Sequence, residues 1–214
     1  TFIGSNGVDN VDKSSENVAW RFDGFSGADI FKGGSGDDVF WGAVGADTLT
    51  GNAGRDVFYF SDFTEGTDTV ADFVVGNTGD ILKFGSAFTG AYTRDASVVA
   101  DAGANGSTYN MGSNSNVLPK IFNFTTSFAT ASTATGVKNQ LTGFKITTDG
   151  STPISNTADF ILVTGSASPT TSYVYAWSDS GNGVIDNGEV FGLATLTSAD
   201  NDNITAANFA FGTI

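Results

Sequence analysis

Four consecutive nine-residue segments between Gly24 and Tyr59 share one pattern, and this repeat constrains the fold more than any other feature. Each segment has glycine at its first and fourth places, aspartate at its sixth and an apolar residue at its eighth. The segments begin at Gly24, Gly33, Gly42 and Gly51. A fixed short period predicts a solenoid, in which each repeat is one structural unit that stacks on others.

The spacing of glycine and aspartate suits a metal-binding turn. Glycines permit backbone angles closed to other residues, so six residues can form a tight turn that exposes carbonyl oxygens. The aspartate adds a carboxylate, which completes the all-oxygen shell that calcium prefers. The last three residues predict a short strand. The inward-pointing residues are then Phe31, Phe40, Leu49 and Phe58.

Two repeats are expected to make one coil, so that residues eighteen apart stack. Asp29 then lies over Asp47, and Asp38 lies over Asp56. Like charges in register destabilise a coil unless a cation lies between them. The aspartate stacks therefore favour a calcium-binding solenoid over a glycine-rich solenoid without metal.

These segments resemble the calcium-binding nonapeptide of RTX (repeats-in-toxin, hemolysin-type) proteins. The resemblance implies a short parallel β-roll, Ca²⁺ as the cofactor, and a bacterial protein that leaves the cell by type I secretion. The second glycine of the RTX pattern is replaced at Phe25, Ala43 and Asn52. We expect those three turns to bind calcium more weakly.

An earlier copy of the repeat begins at Gly4, but its spacing is irregular. Asp9 lies twenty residues before Asp29 rather than eighteen, so the first coil must absorb two extra residues. Within that coil we expect Val18 or Trp20 to take the core position.

The candidate calcium ligands fall into three groups. The repeats contribute Asp9, Gly27, Asp29, Gly34, Gly36, Asp38, Gly45, Asp47, Gly54 and Asp56. The next stretch is similar to the one that closes the roll in RTX proteins, and it either completes a terminal calcium site or forms a metal-free cap. Its candidates are Asp68, Asp72 and Asp80.

The third group lies in residues 178–189, which resemble an EF-hand-type loop. Its candidate ligands are Asp179, Asn182, Asp186 and Glu189. Ser178 stands where an aspartate is expected, and strands rather than helices are predicted on both sides. A hairpin turn without metal is therefore the alternative interpretation.

Composition excludes several function classes. Acidic residues outnumber basic ones by 23 to 9, for a formal net charge of −14, which argues against nucleic acid as a partner. The chain has no cysteine and no histidine, which excludes disulfides and removes the usual zinc ligand and the commonest general base. No apolar run approaches the roughly 20 residues of a membrane span. We recognise no catalytic constellation and expect no enzyme activity.

The expected fold is all-β, with the roll at 1–84 and a β-rich, sandwich-like C-terminal domain at 85–214. Residues 85–118 are expected to form surface loops or an exposed hairpin. One helix is predicted between Phe124 and Leu141, with an interruption at Gly136. The predicted strands are 144–147, 160–163, 173–177 and 190–196. The last twelve residues are compatible with a type I secretion signal or with a sheet edge.

The resemblance implies a folding switch. Stacked carboxylates and flexible glycines should keep the roll unfolded until it meets calcium outside the cell. Three functions are open: a secreted structural protein whose copies form a surface layer or filament, a C-terminal module of a larger RTX enzyme, or an adhesin that binds a partner such as a cell-surface glycan through residues 85–118. We favour the first, with the N-terminal coil as the point of joining.

Overall fold

The computed structural model describes residues 1–88, 98–100, 108–110, 121–124, 133–141, 145–147, 158–165, 171–180, 182, 184–185, 188–197, 199 and 203–214. Within these residues the fold is nearly all β, as predicted. The strands of the N-terminal part are β1 (Phe2–Ile3), β2 (Asn10–Asp12), β3 (Arg21–Asp23), β4 (Ile30–Lys32), β5 (Val39–Trp41), β6 (Thr48–Thr50), β7 (Val57–Phe60), β8 (Asp68–Val70) and β9 (Ile81–Phe84). The later strands are β10 (Val98–Ala100), β11 (Thr108–Asn110), β12 (Ile121–Phe124), β13 (Lys145–Thr147), β14 (Ala158–Gly165), β15 (Thr171–Asp179), β16 (Val190–Thr197) and β17 (Phe209–Phe211).

The N-terminal strands form a parallel β-roll with two repeats per coil. Odd-numbered strands build one sheet in the order β1-β3-β5-β7-β9-β17, and even-numbered strands enter a second sheet in the order β8-β6-β4-β2. Phe22 pairs with Phe40 and Phe40 with Phe58, so neighbours in one sheet are eighteen residues apart. The nine-residue period therefore sets the register of both sheets.

The core of the roll is a column of aromatic side chains between the two sheets. Phe22, Phe31, Phe40 and Phe58 are fully buried. The ring centroids of Phe22 and Phe40 are 4.8 Å apart, and those of Phe40 and Phe58 are 5.1 Å apart. Stacked aromatic pairs add roughly 0.5–1.5 kcal/mol each beyond the burial of their surface.

The first coil uses a different core residue from the one expected. Phe22 fills the eighth place, whereas Val18 is 53% exposed and Trp20 is only partly buried. The two extra residues lie in a turn after β2, where the Asp12 carboxylate accepts hydrogen bonds from the N–H and hydroxyl of Ser14. This turn leaves the strands before and after it in register, so the prediction of Val18 or Trp20 was wrong.

The C-terminal strands extend the roll. β14, β15 and β16 form an antiparallel meander, and β16 pairs in parallel with β8. β17 pairs in parallel with β9 at the edge of the other sheet. One hydrophobic cluster contains buried side chains from both parts of the chain. The division at residue 84 and the secretion signal at the end of the chain stay predictions.

A single α-helix, α1 (Ala134–Gln140), is present among the described residues, and it begins at a capping residue. The side chain of Thr133 accepts a hydrogen bond from the N–H of Gly136 at 3.0 Å. Gly136 therefore lies inside the helix rather than interrupting it, which corrects the prediction. Phe124, where the predicted helix begins, is instead the last residue of strand β12, and residues 125–132 lie outside the described residues.

The stretch predicted as loops or a hairpin contains two short strands. β10 pairs in parallel with β12, and β11 pairs in parallel with β13. Residues 89–97, 101–107 and 111–118 of this stretch lie outside the described residues. The described strands correct the expectation of loops at these positions, because their partners come from later in the chain and give no local signal.

Candidate calcium-binding site

The turns between strands stack in two columns, one on each side of the roll, and the repeated pattern of glycine follows from this stacking. At the first place, a Cβ on Gly24 would overlap Asp29 Oδ2 and approach the carbonyl oxygen of Gly42 to 2.6 Å. At the fourth place, a Cβ on Gly45 would overlap the carbonyl oxygen of Gly27. Both glycines are therefore required because backbone and carboxylate oxygens crowd the inside of each turn.

The first column of turns carries a ladder of aspartates. The N–H of Asp9 donates to Asp29 Oδ1 at 2.8 Å, and the N–H of Asp29 donates to Asp47 Oδ1 at 2.7 Å. The N–H of Asp47 continues the ladder to Asp68 Oδ1 at 3.0 Å. Asp68 therefore occupies the sixth place of a further turn, although it lies twenty-one residues after Asp47.

The second column has the same ladder but begins differently. The N–H of Trp20 donates to Asp38 Oδ1 at 2.6 Å, so Trp20 stands where the other turns have aspartate. The N–H of Asp38 donates to Asp56 Oδ1 at 2.8 Å, and that of Asp56 donates to Asp80 Oδ1 at 3.0 Å. The structure thus brings the predicted Asp80 into the column, while the role of Trp20 was missed.

Three aspartates keep their second carboxylate oxygen without a protein partner. These oxygens are buried, and they belong to Asp29, Asp47 and Asp56. Each residue is at most 1% exposed. A buried polar atom without a partner is unfavourable by roughly 1–3 kcal/mol, and more when it is charged, so these oxygens, two in the first column and one in the second, mark places for a ligand.

Burial also disfavours the ionised form of these carboxyl groups. It raises the pKa of Asp47 to about 6 and that of Asp56 to about 7, and neighbouring carboxylates add to both shifts. Burial likewise raises the pKa of Asp29, Asp68 and Asp80. Without a cation, the folded roll holds these groups in surroundings that oppose their charge.

The inside of the turns fits Ca²⁺. Asp29 Oδ2 and the carbonyl oxygen of Gly42 flank Gly24, and Asp38 Oδ2 and the carbonyl oxygen of Gly51 flank Gly33. Oxygen ligands of this mixed kind are those that calcium takes in proteins. Among the residues described, no three Asp or Glu side chains converge on one point, so the protein ligands at these turns would combine a carboxylate with backbone carbonyls.

The predicted backbone ligands lie in the same turns as the aspartates. Gly27, Gly45 and Gly54 take the fourth place, where each approaches the turn one coil earlier. Gly34 and Gly36 lie in the turn of Asp38, beneath the turn that contains Val18.

Asp72 has a different role from the ladder aspartates. Its two carboxylate oxygens accept hydrogen bonds from the N–H groups of Gly51 and Asn52, at 2.9 and 2.7 Å. These bonds support the cap interpretation for Asp72, which holds the turn of the fourth repeat from below. A calcium ligand at Asp72 stays a prediction.

The loop that resembles an EF-hand lies between β15 and β16. The side chain of Glu189 accepts hydrogen bonds from the N–H of Ser180 at 2.9 Å and from the indole N–H of Trp177 at 3.4 Å. Asp179 is buried and accepts a 3.4 Å hydrogen bond from the N–H of Asn182. Asp186 lies outside the described residues. The described bonds fit the hairpin interpretation, and calcium at this loop stays a prediction.

The geometry defines a parallel β-roll whose stacked turns present oxygen ligands to calcium. Residues 23–58 match the family model of the RTX calcium-binding nonapeptide repeat, in four copies. The chain therefore carries the calcium-binding repeats of the RTX family, and its cofactor is Ca²⁺, as the sequence predicted. No curated protein matches the sequence. In the described part of the chain, no helix is both long and apolar enough to cross a membrane.

Proposed function

We propose that this chain is a secreted bacterial structural protein, without enzyme activity, that folds on meeting extracellular calcium and then self-assembles into a filament or surface layer. RTX repeat proteins are typically secreted, and type I secretion is the route we expect. The calcium-binding roll accounts for the folding step. The assembly step rests on the edge strands β1 and β2 at the N-terminal end of the described roll.

Calcium acts as the folding trigger because the roll buries carboxyl groups. Asp38 and Asp56 are fully buried, and Asp29 and Asp47 are 1% exposed. Ionised groups in such surroundings oppose folding until a cation neutralises them. Extracellular calcium modules bind with Kd values of about 10⁻⁴–10⁻³ M, so they fill outside the cell and stay empty in the cytoplasm. The free energy of calcium binding then becomes free energy of folding.

The N-terminal end of the roll carries the assembly proposal. Within the described residues, β1 hydrogen-bonds only to β3, and β2 only to β4. Ile3 is 68% exposed and Val8 is 69% exposed at this end. An edge strand with exposed apolar side chains is a template for pairing with another chain.

The odd-numbered sheet offers a direct way to join copies. All its strands are parallel, and its two edges in the described chain are β1 and β17. Placing β1 of one copy beside β17 of the next would continue the same parallel sheet. A head-to-tail contact of this kind does not close on itself unless its rotation forms a ring, so it builds a filament.

The test is electron microscopy and sedimentation of the purified chain in millimolar calcium and then in excess chelator. We expect filaments or sheets that dissolve when calcium is removed. Ile3→Lys places a charge on the edge strand and should leave folded monomers in calcium. The matched control is Val44→Lys, at a side chain 56% exposed in a turn away from β1, and it should still assemble.

Wild-type protein that stays monomeric at millimolar calcium, while its roll folds, would refute self-assembly and favour the module of a larger RTX protein. Assembly that Ile3→Lys leaves intact would refute the contact at β1. A glycan partner stays a prediction, since much of the 85–118 stretch lies outside the described residues.

A further inference from the structure

The repeat turns fall into two groups, which differ in where the second carboxylate oxygen of the aspartate points. In two turns this oxygen accepts a hydrogen bond from the second-place N–H. Gly34 donates to Asp38 Oδ2 at 2.8 Å, and Ser5 donates to Asp9 Oδ2 at 2.7 Å. We name these two the closed turns, because a backbone N–H group is already hydrogen-bonded to the second carboxylate oxygen.

The other three turns are open. Their second-place residues have left-handed backbones, with φ of 67° at Phe25, 64° at Ala43 and 65° at Asn52. The aspartates of these turns are the three whose Oδ2 has no protein partner. The match is complete: every turn with a left-handed non-glycine residue at its second place has a free buried carboxylate oxygen.

Steric crowding between coils explains the division. In the closed turn of Gly34, a Cβ would overlap the carbonyl oxygen of Glu16 in the turn above. Phe25, Ala43 and Asn52 each have a side chain and each lie beneath another turn, so the closed form is blocked. Ser5 belongs to the first turn, with no described turn above it, and there a side chain is compatible with the closed form.

We propose that the second-place side chains of Phe25, Ala43 and Asn52 hold their turns open for Ca²⁺ and so preorganise three sites to fill before the Asp9 and Asp38 sites. In a closed turn the ion must displace an N–H group from a charged carboxylate. Breaking a hydrogen bond to a charged group takes enough free energy to weaken calcium binding by about tenfold or more. This ranking is opposite to the one expected from the missing second glycine, and these side chains act as positioning residues rather than ligands.

Two substitutions with opposite expected effects on calcium affinity test the proposal. Flow dialysis of the full chain counts the calcium ions in each affinity class. Wild-type protein should show a tighter class and a class about tenfold weaker or more. Ala43→Gly removes the side chain that blocks the closed form, and should move one ion from the tighter class to the weaker one. Gly34→Ala blocks the closed form of the Asp38 turn, and should move one ion the other way.

A second readout separates positioning from a general effect on folding. The amide resonance of Gly34 should shift in the later part of a calcium titration, when its hydrogen bond to Asp38 breaks. Substitutions that alter only stability would move the calcium midpoint of folding and leave the number of ions in each class unchanged, which would overturn the proposal. A single affinity class in the wild-type protein would also overturn it. If Gly34→Ala fails to fold, the movement of one ion to the weaker class in Ala43→Gly is the test of the proposal.

Discussion

The roll and the C-terminal meander share one sheet, yet they bury different kinds of groups. The roll stacks parallel strands eighteen residues apart and buries a column of carboxyl groups beside its phenylalanines. The meander β14-β15-β16 pairs antiparallel strands and buries mainly apolar side chains such as Leu162, Val174 and Trp177. The backbone hydrogen bonding is continuous between them. A sheet can therefore be continuous in its backbone hydrogen bonding while only one part of it stacks buried carboxyl groups in a column.

Removing calcium should have the largest effect on the difference between the roll and the meander. In chelator at neutral pH, we expect the amides of β3 to β7 to lose protection from hydrogen–deuterium exchange, because the stacked carboxylates have no counter-charge. The amides of β14 and β15 should keep most of theirs. The same exchange measurement in millimolar calcium is the control. Equal loss of protection in both regions would show that the meander cannot hold its structure without the roll.

Much of the roll was readable from the sequence because its period is local. The nine-residue period also gives the two positions of the first coil that were not predicted. Trp20 lies nine residues before Asp29, and Phe22 lies nine residues before Phe31. The two extra residues of the first coil lie earlier in the chain, at the turn of Ser14, so they do not disturb this count. The nine-residue period therefore encodes Trp20 at the sixth place of its turn and Phe22 at the eighth.

The end of the roll was harder to read because its turns lengthen. Asp68 follows Asp47 by twenty-one residues and Asp80 follows Asp56 by twenty-four, so the nine-residue pattern is lost while the stacking persists. In the second part, the strands β13, β14, β15 and β16 were predicted from local pattern. The parallel pairing of β16 with β8 was not, because it joins residues more than one hundred positions apart, and no local pattern encodes the partner.

A change of pH should have a smaller effect on the same difference between the roll and the meander. The pKa of Asp47 is raised to about 6 and that of Asp56 to about 7 in the folded roll, above the unfolded value of about 3.9. The folded state then binds more protons, so the stability of the calcium-free roll is present below about pH 4 and is lost as the pH rises through about 6 to 7.

Circular dichroism of calcium-free protein between pH 4 and pH 8 measures this loss of the folded roll with rising pH. We expect β-structure to be retained at the acid end and to decrease towards pH 8, because protons replace calcium on the buried carboxyl groups. In millimolar calcium the signal should stay constant over the upper half of the range. A calcium-free signal that instead increases with pH would contradict the assignment of raised pKa values to the folded roll.

The smallest expected effect concerns the one acidic cluster described in the meander. Glu189→Gln keeps the shape of the side chain, but its one carbonyl oxygen cannot accept both of the hydrogen bonds that the two carboxylate oxygens accept from Ser180 and Trp177. If the loop is a hairpin without metal, urea unfolding in calcium should show a loss of about 1 kcal/mol, with the calcium stoichiometry unchanged. Loss of one bound ion would instead show that this loop binds calcium, and the contrast between a cation-dependent roll and a cation-independent meander would no longer hold. The substitution therefore tests the comparison at the point where the two parts are most alike.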